Sequence, residues 1–148
     1  MLEPPTKQTK LPILILIVAP LTAAALTVLY VQLALGVIKI RLGKNISLGA
    51  GDNDELEKAI RSHANLTEWA PIGLLLIVIL ELNSAPFWLA APPAIAFVAG
   101  RMLHPKGLLS NSEGSLKKRT LGMRLTIYSI LALAALNILW MVVRFFVH

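Results

Sequence analysis

Hydrophobic positions in this chain gather into four blocks separated by polar, turn-rich stretches. The first, 11–38, contains no charged side chain. A hydrocarbon core of about 30 Å needs roughly 20 helical residues, so this block can span a bilayer with some tilt. Pro12 falls in its first turn, where a missing N–H does no harm. Pro20 falls inside it and predicts a kink. Lys7 and Lys10 ahead of the run, with Thr22-Ala23-Ala24-Ala25 within it, also resemble a secretory signal peptide. The apolar run continues well past those alanines, and we read it as a membrane helix. A polar segment over 39–58 follows, carrying Lys39, Arg41 and Lys44 and then Gly49-Ala50-Gly51-Asp52-Asn53-Asp54-Glu55. Those glycines and acids mark a turn, and Asp52 or Asn53 can cap the next helix.

That second helix is expected over 54–82. Its uncharged part, 69–80, is too short to span alone. The helix must therefore carry Glu68, with Asn65 near it, into or close to the bilayer. Asn83-Ser84-Ala85-Pro86 is a tight connection to a third helix over 87–104, weakened early by Pro92-Pro93. Arg101 and His104 fall at i and i+3 on one face of it. A fourth helix over 120–147 follows the basic run Lys117-Lys118-Arg119, which suits a lipid-headgroup patch. Trp140 and Arg144 read as its interfacial anchors, and Glu81 reads as interfacial at the far end of the second helix. The expected fold is all-α: a single membrane domain over 1–148, built as an integral membrane four-helix bundle.

Composition agrees. The 148 residues are 56% hydrophobic and 15% charged, with mean hydropathy +0.71; a soluble domain carries about 25% charged residues. The absence of cysteine excludes disulfides, thiolate metal sites and a cysteine nucleophile. His63, His104 and His148 are too scattered for a metal motif, and no metal is expected. A net charge of +6 would suggest nucleic acid in a soluble protein. Here it has a topological origin, and no nucleic-acid partner is expected. Lys7, Lys10 and Arg144 lie on the side of the termini, and every other Lys and Arg lies on the opposite side. The positive-inside rule then puts both long loops in the cytoplasm and both termini outside.

One stretch stands out: Arg61-Ser-His-Ala-Asn-Leu-Thr-Glu-Trp-Ala-Pro71. On a helix, Arg61, Asn65 and Glu68 lie within about 60° of one another. His63 lies roughly opposite and must serve a different neighbour. The stripe can be a surface ion pair with a snorkelling arginine. It can equally be functional, since ionisable residues inside a membrane are functional candidates. With Arg101, His104 and Arg119 at the same face, it suits a small zwitterionic or anionic ligand: arginines for carboxylates, Glu68 for an ammonium, Asn65 for an amide. A lipid headgroup or a nucleotide could use much of the same set. A small multidrug transporter, which depends on an acid in its first helix, is disfavoured because 11–38 has none.

Arg61-x3-Asn65-x2-Glu68-x2-Pro71 resembles the signature of the MAPEG family, the membrane-associated proteins in eicosanoid and glutathione metabolism. His63 is similar to the prostaglandin E synthase branch. Gly36-Val37-Ile38-Lys39-Ile40-Arg41 resembles the basic end of the family's first helix. Gly100-Arg101-x2-His104 resembles a motif of its third, and Lys118-Arg119-Thr120 the opening of its fourth. The resemblance implies a homotrimer with glutathione bound between neighbouring subunits near the cytoplasmic face. Lys39, Arg61, His63, Asn65, Glu68, Arg101 and His104 would contact the tripeptide, and an arginine at the start of the fourth helix would stabilise its thiolate. Arg119 is the first choice for that arginine and Arg124, one turn deeper, the rival. The implied activity is conjugation or reduction of lipophilic electrophiles or peroxides that arrive from the bilayer. Two features depart from the synthases. Leu108 stands where the family often has a tyrosine, and the loop before the fourth helix is about two residues longer. Gly122-Met123-Arg124-Leu125-Thr126 is closer to bacterial members, which points to a bacterial inner membrane. The alternative is a non-catalytic membrane protein that binds a lipid or peptide-like ligand, or scaffolds a partner, on the same fold.

Overall fold

In the computed structural model, which describes residues 16–110 and 112–147, the chain forms four helices: α1 (Val18–Lys44), α2 (Asp54–Leu82), α3 (Phe87–Leu108) and α4 (Ser115–Val147). Every pair of helices is in contact except α1 with α4, and the most extensive contact is between α3 and α4. This is the expected all-α membrane bundle. By length and composition α1, α2 and α4 can each cross a membrane. α3 is the shortest of the four and is not among them; Pro92, Pro93, Arg101, His104 and Pro105 interrupt its apolar run.

α1 begins later than the apolar pattern suggests. Residues 11–15 and Pro12 lie outside the described residues, but Leu16 and Ile17 are not helical and the helix starts at Val18. Pro20 is therefore in the first turn, where its missing N–H removes no intrahelical bond, and the expected kink has no cause there. Ile17 offers no side-chain cap. The first N–H groups of α1 are instead satisfied from a distance. Glu81 Oε1 accepts from the N–H of Ile17 at 2.9 Å and of Val18 at 2.8 Å, and Glu81 Oε2 accepts from Ala19 at 2.8 Å. Glu81 is 5% exposed. The interfacial reading of Glu81 is thus corrected: it is a buried acid that caps another helix, at the end where a carboxylate also complements the helix dipole.

α1 continues past residue 38 to Lys44, so Lys39 and Arg41 are helical and not part of the loop. Asn45 closes it in a left-handed conformation, with the Ile46 N–H on the Arg41 carbonyl at 3.1 Å. α2 starts and ends as expected. Of the two candidate caps, Asn53 serves: its Oδ1 accepts from the Leu56 N–H at 2.9 Å.

The core has two parts. Val18, Ala19, Ile77, Leu80, Ala85, Ala90, Ala94 and Leu133 pack at the Glu81 end. Leu26, Leu66 and Phe97 pack nearer the middle. Beyond them α3 and α4 approach closely, as membrane helices do where small residues face each other. A Cβ on Gly100 would lie 2.8 Å from the Gly122 carbonyl oxygen, and one on Gly122 would lie 2.7 Å from the His104 nitrogen. This contact sets the spacing of the helix ends that carry the polar residues. α3 runs one turn beyond His104, and α4 opens at Ser115. Arg119 therefore sits in the second turn of α4 and does not open it.

Candidate functional site

The polar ends of α2, α3 and α4 line an open cavity of about 730 Å³, within the range of small-molecule sites. From α2 it takes Asp54, Glu57, Lys58, Arg61 and Asn65. Asp54, Glu57 or Lys58, Arg61 and Asn65 follow one another at spacings of three or four residues, which places them on one helix face. α3 contributes His104 and Leu108, and α4 contributes Leu116, Arg119, Thr120 and Met123. Arg61, Asn65, His104 and Arg119, far apart in the chain, thus meet at one wall.

Arg101 stands behind that wall. It is 1% exposed and does not line the cavity. Its Nη1 donates to Asn65 Oδ1 at 2.8 Å and to the Asn65 carbonyl at 3.3 Å, and its Nε donates to Thr126 Oγ1 at 2.9 Å. The Thr126 hydroxyl in turn donates to the Gly122 carbonyl at 2.9 Å. The guanidinium so ties α2 to α4 through α3, and it fixes which way the Asn65 amide faces. Its Nη2 is buried with no partner among the described residues.

Arg119 is held by backbone packing. A Cβ added to Gly107 would fall 2.4 Å from the Arg119 nitrogen and 2.7 Å from the Ser115 carbonyl oxygen. Only a residue without a side chain lets the first turns of α4 come this close to the end of α3. Arg124 is exposed and lies outside the cavity; on a helix it is about 140° around from Arg119.

The other expected contacts are elsewhere in the single chain. Lys39 and Glu68 are exposed and do not line the cavity. His63 is half-buried on the other face of α2. Its neighbour is Tyr30 of α1, with ring centroids 4.6 Å apart. The stripe therefore divides: Arg61 and Asn65 face the cavity, while Glu68 does not. The acids that do face it, Asp54 and Glu57, were missed by sequence reasoning. Their spacing of seven and four residues before Arg61 carried the signal. Thr126 and Gly107 had no such signal, because their roles arise from the approach of α4 to α3.

His104 is 5% exposed and its ring has no hydrogen-bond partner among the described residues. The wall thus combines two guanidinium groups, an oriented amide and an uncommitted imidazole, a set able to hold carboxylates and polarise a nearby acidic proton.

The chain is 29% identical over 124 residues to the inner membrane protein YecN of Escherichia coli K12, covering 84% of this chain and 92% of that protein. YecN of Escherichia coli O6:H1 matches to the same extent. The model of the MAPEG family matches residues 18–139, which include α1, α2 and α3, most of α4 and every residue of the cavity. The chain is a membrane protein that belongs to the MAPEG family.

Proposed function

We propose that this protein is a glutathione-dependent enzyme of a bacterial inner membrane that conjugates or reduces lipophilic electrophiles or peroxides. The observation that carries the reading is the meeting of Arg61, Asn65, His104 and Arg119 in one cavity. Arginine matches carboxylates through paired N–H donors, and glutathione presents two. A free thiol has a pKa of about 8.5, and a guanidinium beside it favours the thiolate. Arg119, which faces the cavity, supplies that charge. The thiolate sulfur then attacks an electrophilic carbon, forming the S–C bond as the leaving group departs with its electron pair. With a hydroperoxide, two glutathiones are oxidised to the disulfide while the peroxide is reduced to an alcohol and water.

Glutathione binds between the subunits of a homotrimer. In that assembly the exposed Lys39 and Glu68, and His63, reach the ligand from a neighbouring subunit, while Arg101 acts through Asn65. The long loops are cytoplasmic and the termini are on the other side, as the basic residues prescribe. The name of the Escherichia coli relative supports the inner-membrane location.

Turnover of a chromogenic electrophile with glutathione, by the detergent-solubilised protein, tests the activity. Saturable glutathione binding without turnover of any electrophile class or hydroperoxide would favour a second reading: a non-catalytic membrane protein that binds a lipid or peptide-like ligand or scaffolds a partner. Leu108 favours that second reading, because it lines the cavity with hydrocarbon at the position where the family resemblance implies a tyrosine hydroxyl.

A further inference from the structure

Arg124 and Arg144 bound the uncharged run 125–143 of α4. On a helix they lie about 30 Å apart, the thickness of a hydrocarbon core, so each stands at one headgroup boundary. The two differ in setting. Arg124 is exposed. Arg144 is half-buried, and its Nη1 donates to the Asn83 carbonyl at 2.8 Å. The Trp140 Nε1 donates to the same oxygen at 2.9 Å. The turn between α2 and α3 thus holds the guanidinium in place. Its remaining N–H groups have no partner among the described residues.

The charge of Arg144 is also unbalanced. Among the described residues Glu81 is the only acid at this end of the bundle, and both its oxygens are engaged by the first N–H groups of α1. A partly buried cation without a counter-charge is costly, and an external anion would relieve that cost. There is room for one. Arg144 lines a pocket of about 350 Å³ with Ser84, Trp140, Val143 and Val147. The exposed Ser84 hydroxyl can donate to an anion beside the guanidinium. Val143 and Val147 are exposed, on a helix able to cross a membrane. The pocket is therefore amphipathic. Its polar side sits at headgroup level, and its apolar side continues through Val143 and Trp140 into the uncharged run. A free inorganic anion uses only the polar side, whereas a phospholipid uses both.

We propose that Arg144, Ser84 and Trp140 form a headgroup site for an anionic phospholipid, at the end of the bundle opposite the polar cavity. The guanidinium receives the phosphate through the N–H groups that Asn83 leaves free, and Ser84 donates to the same headgroup. Trp140 and Val143 pack against the first part of an acyl chain. A headgroup with an ammonium fits less well, because Glu81 is already engaged and no other described acid is there to receive it. Bound lipid joins α4 to the turn between α2 and α3, since Arg144 then bridges the phosphate and the Asn83 carbonyl. The site is independent of any activity at the polar cavity.

The test is native mass spectrometry of the full-length, detergent-solubilised protein, titrated with dioleoylphosphatidylglycerol and, separately, with dioleoylphosphatidylethanolamine. The first phosphatidylglycerol is expected to bind roughly tenfold more tightly than the first phosphatidylethanolamine, the effect of one good charge-assisted contact. Arg144→Gln should weaken phosphatidylglycerol binding about tenfold, and Arg124→Gln by less than about twofold. Val147→Glu changes an exposed position that lines the pocket. It offers the guanidinium a carboxylate and repels the phosphate, so it should match Arg144→Gln, and it serves if that variant does not fold. Unchanged phosphatidylglycerol affinity in Arg144→Gln or Val147→Glu, or an equal loss in Arg124→Gln, overturns the site. Equal affinity of the wild type for the two lipids overturns its choice of an anionic headgroup. Inorganic phosphate bound as tightly as the lipid, read by isothermal titration, overturns the lipid as its ligand.

Discussion

Arg101 on α3 and Asn65 on α2 are joined by a 2.8 Å hydrogen bond from Nη1 to Oδ1, and the guanidinium is almost wholly buried. A buried cation needs good hydrogen bonds to offset its lost hydration. Here they come from neutral oxygens on two other helices. The same bonds orient the Asn65 amide at the cavity wall, so one arginine couples the stability of the bundle to the shape of the site.

Thr126→Val isolates that coupling, since it removes the acceptor for Nε with little change in volume and replaces no residue that lines the cavity. The bundle should lose about 1 to 2 kcal/mol, read as a lower Tm in detergent, with weaker glutathione binding. An unchanged Tm would mean that the Thr126 bond contributes nothing to the fold.

Gly107→Ala should act on Arg119 without altering its chemistry. The new methyl meets the Arg119 backbone nitrogen at 2.4 Å unless α4 moves, and overpacking of this kind costs about 1 to 3 kcal/mol. We expect turnover to fall at least tenfold while glutathione affinity changes by less than about threefold, since Arg61 and Asn65 stay in place. Wild-type kinetics would show that Arg119 does not depend on this contact.

The two candidate arginines of α4 separate by spectroscopy. Arg119 faces the cavity and Arg124 does not. Arg119→Ala should shift the titration of bound thiol, followed by thiolate absorbance, towards higher pH, since the cation that favours the thiolate is gone. Arg124→Ala should leave the profile unchanged. The reverse pattern would transfer the role to Arg124.

At the opposite end, Glu81→Gln should cost about 1 to 3 kcal/mol. The amide keeps one acceptor oxygen where the carboxylate uses both on the first N–H groups of α1. Tm in detergent should fall while the glutathione dissociation constant at the far cavity stays the same. A fall in affinity without a fall in Tm would contradict a purely structural role.

The bundle was legible from its apolar blocks, because membrane length alone requires them. Arg61 and Asn65 were legible as neighbours because one helix carries both. Glu81 was misread because a lone acid near a helix end looks interfacial; only the start of α1 at Val18, set by tertiary contact, shows what it caps. Pro20 was misread for the same reason. Arg119 was placed at the opening of α4 because the lysines before it look like loop, whereas packing against Gly107 extends the helix back to Ser115. Asp54 and Glu57, which line the cavity at its exposed edge, were overlooked because Glu68 already offered a charge partner on the same stripe. Helix periodicity gives the face but not which stretch of it is covered.

The central claim is that this cavity binds glutathione. Isothermal titration of the solubilised wild-type protein with reduced glutathione tests it most directly. The account predicts saturable binding that Arg61→Ala weakens at least tenfold, the loss of one arginine–carboxylate contact. No heat of binding at millimolar glutathione, from protein shown to be folded, would contradict it.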